Sequence, residues 1–198
     1  MIKLRFLLLP CVLLLPVKVQ ADIYHHASII EIEPGTRAPA MGGAFTAVAD
    51  DAFGVYWNPA GPGIAEQMAI SCSVLTPFSD SDNHSSLRED QSFFGLVVPN
   101  SYLPFGAYIT NFGVNDIEIR NEQNQSFGFF DDSEIGSVFA VAHKFDFIGR
   151  FSCGASLTYL SQEMGNFASG KGWALNFGVI HKLTNNFFSY GCFLKNYT

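Results

Sequence analysis

The residues able to do chemistry in this 198-residue chain are few and scattered. Asp50 and Asp51 form an adjacent carboxylate pair, but neighbouring residues point apart and neither a histidine nor a nucleophile accompanies them, so acid-base catalysis is not indicated. Their types and position suit helix capping and backbone hydrogen bonding. His25 and His26 have no Cys, Asp or Glu at ligand spacing and read as a solvated tail. His143 and His181 fall toward the ends of candidate strands, where an interfacial or inward-facing polar residue is the expectation. Gly42-Gly43 lacks both the strand-before, helix-after setting and the following Lys-Ser or Lys-Thr of a phosphate loop. Cys72, Cys153 and Cys192, an odd number without paired spacing, read as small apolar strand residues and not as a disulfide framework. Asp80, Asp82, Glu89, Asp90, Asp131, Asp132 and Glu134 gather in expected loops; a calcium site would need a defined ligand ladder, so solvated charge is the expectation. The Asn-x-Ser/Thr matches at Asn83, Asn124 and Asn196 occur at a rate chance supplies. No enzyme, cofactor or metal is expected.

The elements that hold these residues begin after a leader. Lys3 and Arg5 precede an apolar run, Phe6 to Val17, and Val19-Gln20-Ala21 offers small residues for a signal peptidase, so residues 1–21 read as a signal peptide and the mature chain as starting at Asp22. The run is too short for a transmembrane helix, which needs roughly 20 residues, and carries Pro10 and Pro16. Pro10 before Cys11 argues against lipidation. Cleavage removes three of the 11 basic residues, leaving 8 against 18 acidic ones, a formal charge of −10 that argues against nucleic acid as a partner. The remaining length suits one domain.

From Met68 onward the hydrophobic period is two. Phe151, Cys153, Ala155, Leu157 and Tyr159 alternate with Ser152, Gly154, Ser156 and Thr158, and Trp173, Leu175, Phe177 and Val179 with Ala174, Asn176 and Gly178. Seven strands are expected near 68–77, 91–99, 104–112, 134–145, 150–161, 172–182 and 187–196. Most have about the 9 to 11 residues a tilted strand needs to cross a bilayer. Long polar connections (residues 78–90 and 113–132, with a moderate one at 162–171) interleave with short ones at 100–103, 146–149 and 183–186. Such alternation is the pattern of outer-membrane barrels, and the second face of each strand is Gly, Ser, Ala, Thr and Asn where a soluble sandwich would carry charge. The fold class expected is all-β: an antiparallel outer-membrane barrel of about seven strands, incomplete in this chain, in residues 68–198. Tyr102, Phe105, Phe112, Trp173 and Phe188 are the expected interfacial aromatic girdles. An exported soluble β-sandwich is the rival, since sandwiches share the alternation.

Between leader and strands lies the N-terminal segment, residues 22–67, in which the run 35–63 alternates like neither helix nor strand. Gly42-Gly43 frees a tight turn, Asn58-Pro59 favours turn initiation, and Ala44 to Ala52 offer at most a short helix. A compact segment ahead of a barrel has the size of a plug. The run "GTRAPAMGGAFTAVADDAFGVYWNPAGPG", Gly35 to Gly63, resembles the N-terminal signature of the FadL-type outer-membrane transport superfamily, most closely its PorV/PorQ-like branch. Gly35 and Arg37, then Met41, Gly42 and Gly43, then Asp50 and Asp51, then Trp57, Asn58, Pro59, Ala60 and Gly61 follow in the family's order, while Pro62 departs from its usual Leu.

The resemblance implies a monomeric barrel delivered by barrel-assembly machinery to the bacterial outer membrane, bathed in its lipid, with the N-terminal segment as a hatch inside the lumen. In FadL-type members that hatch gates hydrophobic solutes such as long-chain fatty acids; in PorV-like members the barrel shuttles cargo of a protein secretion system. Because family barrels are longer, seven is an odd strand count and no terminal aromatic closes the chain, the expectation is an N-terminal portion of a longer barrel.

Overall fold

The computed structural model describes residues 32–76, 88–146, 149–183 and 188–195. The expected leader, His25, His26, Asp80, Asp82, Asn83 and Asn196 lie outside them. Two four-residue helices, α1 (Arg37–Ala40) and α2 (Gly54–Trp57), and a 3₁₀ turn at Gly61–Gly63 precede seven strands. These are β1 (Ala69–Leu75), β2 (Arg88–Val98), β3 (Phe105–Arg120), β4 (Ser126–Asp146), β5 (Arg150–Met164), β6 (Ala168–Lys182) and β7 (Ser189–Leu194). All belong to one antiparallel sheet in chain order, so the soluble-sandwich alternative finds no second sheet among the described residues. The meander does not close: β1 and β7 are its two edges.

Period-two alternation sorts the side chains onto two faces, and the sorting is inverted relative to a water-soluble sheet. On β6, Trp173, Leu175 and Phe177 are more than half exposed while Ala174, Asn176 and Ile180 are buried. On β5, Leu157 is exposed while Ser152, Ser156 and Thr158 are buried. Val74, Phe94, Ile109, Ile135 and Phe139 extend the exposed apolar face across β1 to β4. Residues from the N-terminal segment cover the other face, and the core lies between them: Phe45, Ala49, Ala60 and Ile64 with Ile180, and Val55 with Val138 and Ala140.

Burying hydroxyls and amides costs free energy unless each is hydrogen-bonded. Asn176 Nδ2 donates to Ser156 Oγ (3.2 Å) and Thr158 Oγ1 (2.9 Å), and Ser152 Oγ donates to the Ala60 carbonyl (2.7 Å). Gln162 Nε2 donates to the buried Glu134 Oε1 at 3.0 Å, across the register pair Glu134–Gln162.

Four expectations are corrected. The long connection at 113–132 is mostly strand: β3 runs to Arg120, β4 starts at Ser126, and only 121–125 turn. Ile117 pairs with Phe130 there, after a register shift at which Asp116, with φ of 58°, donates its N–H to Asp131 Oδ1. Charged residues between these apolar ones mask the alternation in sequence. Likewise 162–171 shrinks to a turn at Gly165–Phe167. Glu89, Asp90, Asp131, Asp132 and Glu134 accordingly lie in β2 and β4, not in loops. Phe112 is buried on the covered face, so it is no girdle residue, whereas Tyr102, Trp173 and Phe188 are exposed. His143 packs on Phe145 and His181 on Phe151, which puts both toward strand ends on the apolar face, in keeping with the interfacial one of the two placements expected for them and not the inward one.

Among the described residues, β3 and β4 continue as a two-stranded ribbon beyond the register pair Arg88–Asn115 on one side and Asp132–Met164 on the other. Isolated ribbons are marginal in water. Amide hydrogen exchange followed by mass spectrometry is therefore expected to be fastest in 115–131 and slowest in β5 and β6, which are paired on both sides. Equal protection of ribbon and central strands would contradict this ladder.

Candidate functional site

The residues singled out by sequence come together in the wedge that covers the sheet. Gly42 (φ 64°) and Gly43 (φ 77°) turn the chain after α1 in a conformation that a Cβ resists. Ala44 to Ala52, which offered at most a short helix, form none: 41–48 are turns, and helices sit at Arg37–Ala40 and Gly54–Trp57. Asp51 Oδ1 accepts the Gly54 N–H at 2.9 Å at the start of α2, the hydrogen-bonding role expected of the acidic pair. Both aspartates also bind Arg37, whose Nη1 lies 2.7 Å from Asp50 Oδ1 and 3.1 Å from Asp51 Oδ2. The Arg37 guanidinium stacks 4.9 Å from the Phe45 ring centre. Lys182, at the end of β6, reaches Asp50 Oδ2 at 3.5 Å and so ties wedge to sheet. Trp57 packs edge-on against Phe45 and Tyr56, and its buried Nε1 has no partner among the described residues. Met41 is 44% exposed and joins the network through its backbone, its N–H donating to the Arg37 (3.2 Å) and Ala38 (3.0 Å) carbonyls.

Asn58 is wholly buried and holds the wedge to the sheet. Its Oδ1 accepts the Ala60 N–H (3.0 Å), shaping the turn at Pro59. Its Nδ2 faces three carbonyls, those of Thr46 (3.0 Å), Val179 (3.2 Å) and Cys192 (3.3 Å). Two of these belong to the register pair Val179–Cys192 of β6 and β7, so one side-chain amide joins the wedge to both strands at once.

Sequence reasoning missed the wall that receives the wedge. Five strands each present one glycine to it: Gly95, Gly106, Gly154, Gly178 and Gly191. A Cβ at Gly191 would stand 2.6 Å from the Thr46 oxygen, at Gly95 2.9 Å from the Ala52 oxygen, and at Gly178 2.8 Å from Pro59 Cδ. The β4 strand completes the belt with Ala140 and Ala142, both buried. The signal was present as glycine at the non-apolar parity of each strand.

The arrangement supplies close backbone packing and hydrogen bonds. Among the described residues no group of three His, Cys, Asp or Glu is placed to hold a metal ion.

Two outcomes follow. Asn58→Ala leaves buried carbonyls and the Ala60 N–H unpaired, which costs about 1–3 kcal/mol per group, and should lower the urea midpoint of unfolding while Met41→Ala does not. The second concerns Asp50. Burial alone would raise its carboxyl, but the Arg37 hydrogen bond and the charges of Lys182 and Arg37 outweigh burial and hold it below the ordinary 3.8. A depressed carboxylate contributes stability that is complete above the ordinary value and is lost as pH falls through the lowered one. Wild-type midpoints should thus decline in acid below about pH 4, while Asp50→Asn starts lower at neutral pH and declines less; parallel curves would exclude the linkage. Compared with protein-family models, curated proteins and solved structures, the chain matches none of them.

Proposed function

We propose that this chain forms the wall and hatch of an outer-membrane barrel that passes hydrophobic solutes, with residues 35–63 as the hatch and the covered face as the lumen lining. The observation that supports it is the inverted sheet: aromatic and aliphatic side chains on the open face, small and hydrogen-bonded polar ones beneath the wedge. An exposed apolar surface spanning six strands is far more than soluble monomers leave uncovered, and it matches the apolar-out, polar-in alternation of lipid-embedded strands. No helix among the described residues is long and apolar enough to cross a membrane, which leaves crossing by strands untouched. The resemblance of Gly35 to Gly63 to FadL-type hatches favours the same reading.

A second reading, a PorV-like barrel that docks secretion-system proteins and passes no solute, is favoured by a different observation. The β3–β4 ribbon rises beyond the sheet with Phe127 82% and Phe129 59% exposed, a surface suited to protein contact. Material extracted with the purified protein separates the two: bound lipid favours transport, a bound polypeptide favours secretion.

The membrane reading is tested by Leu157→Arg, a substitution at an exposed position in the middle of β5. On a lipid face it costs about 2–4 kcal/mol near the bilayer midplane. The assembled, detergent-requiring fraction should fall sharply. A variant that stays in the periplasmic fraction with improved solubility, alongside a wild type found there too, would sink the proposal.

A further inference from the structure

At the short-turn end of the sheet, Arg150 of β5 and Lys182 of β6 are register partners. Like charges directly opposite one another on a ladder destabilise it. Both residues share the parity of the buried Ser152 and Ile180 and therefore project to the covered side. There they line a cavity of about 290 Å³ with Ser189, Val48 and Phe188. Their carboxylate partners lie off that wall: Glu66, 2.8 Å from Arg150, has a side chain 74% exposed, and Asp50, 3.5 Å from Lys182, already accepts a shorter bond from Arg37. Neither carboxylate lines the cavity. The Lys182 side chain is only 17% exposed, so its charge is held at the cavity and not released to bulk water.

We propose that this cavity is a binding site for a small organic oxyanion, a phosphate or carboxylate carrying a compact apolar body. Arginine supplies a planar fork for two oxygens, lysine a point charge, and the Ser189 hydroxyl a further donor. Val48 and Phe188 offer the apolar side, which an inorganic ion would leave in contact with water. An occupying oxyanion would relieve the repulsion between the facing cations, and the volume is several times that of one water. Because Val48 belongs to the wedge and the other four residues to the sheet and its edge, occupancy would also strengthen the seating of the wedge. The inference depends on that seating and not on the membrane reading.

The test is calorimetric titration of the full chain in dodecyl maltoside with phenyl phosphate, benzoate and inorganic phosphate. Saturable binding of phenyl phosphate or benzoate is expected, tighter than that of inorganic phosphate and weakened by salt; the stronger of the two arms identifies phosphate or carboxylate as the head. Arg150→Gln and Lys182→Gln should each weaken it about tenfold, and Lys171→Gln, at an exposed position toward the other end of β6, should not. Glu66→Gln removes a competitor whose side chain is 74% exposed, an ion pair worth little to stability, and should tighten binding about two- to threefold. The proposal is overturned if the folded wild type binds neither aromatic oxyanion. It is equally overturned if Glu66→Gln and Lys182→Gln both bind like wild type, or if inorganic phosphate binds as tightly as phenyl phosphate.

Discussion

The fold of this chain turns on a single side-chain amide. Asn58 Nδ2 faces the carbonyls of Thr46, Val179 and Cys192, while Oδ1 holds the Ala60 N–H. With two hydrogens for three acceptors, the amide sits in a shared arrangement that tolerates little displacement. No aspartate could replace it, because the three carbonyls require a donor. The bond network also ties down the edge of the sheet: among the described residues six-residue β7 pairs with β6, and Asn58, together with Lys195 stacked 4.6 Å from the Tyr56 ring, joins this end of the chain to the wedge.

Such an amide can reach strand carbonyls only if the backbone comes close, and the glycine belt permits that approach. Gly178 and Gly191 flank the place where Asn58 enters, and Gly154 lies under the Pro59 carbonyl. Glycine within strands ordinarily weakens them. Here the loss is offset by backbone-level packing of the wedge on the wall and by the apolar contacts around Phe45, Ile64 and Ile180. Interior residues that must be small for the wedge leave the large side chains only one place to go, the open face. Close packing of the wedge on one face and large apolar side chains on the other are therefore two results of one alternation.

The charged groups frame this arrangement without entering it. Arg37, Asp50, Asp51 and Lys182 form a chain of contacts at the short-turn end, and Arg150 with Glu66 makes a second tie between sheet and wedge. At the opposite end the acidic residues of β3 and β4 stand on strands that outrun the apolar band. With 21 residues at about 3.3 Å each, β4 could extend roughly 70 Å, more than twice the hydrocarbon thickness of a bilayer. Charge near strand ends therefore marks height above the band, not the end of the sheet.

Sequence alone determined the all-β class, the seven strands and which parity of each would be apolar, because a side-chain period of two is a local property of extended backbone. It also placed the turns at Gly42-Gly43 and Asn58-Pro59, where the special dihedrals and the self-bonding of Asn are written into residue type. It misread the ribbon at 113–132, where Asp116, Glu118 and Arg120 interrupt the apolar alternation and cross-strand pairing decides the outcome. Only the tertiary structure decided which face of the sheet would be covered and by what. The role of Asn58, the glycine belt and the facing of Arg150 and Lys182 on one cavity all join residues about 40 to 145 positions apart or strands whose register no local pattern encodes. Contacts of that range depend on how the whole sheet is laid out, and no single window of sequence contains it.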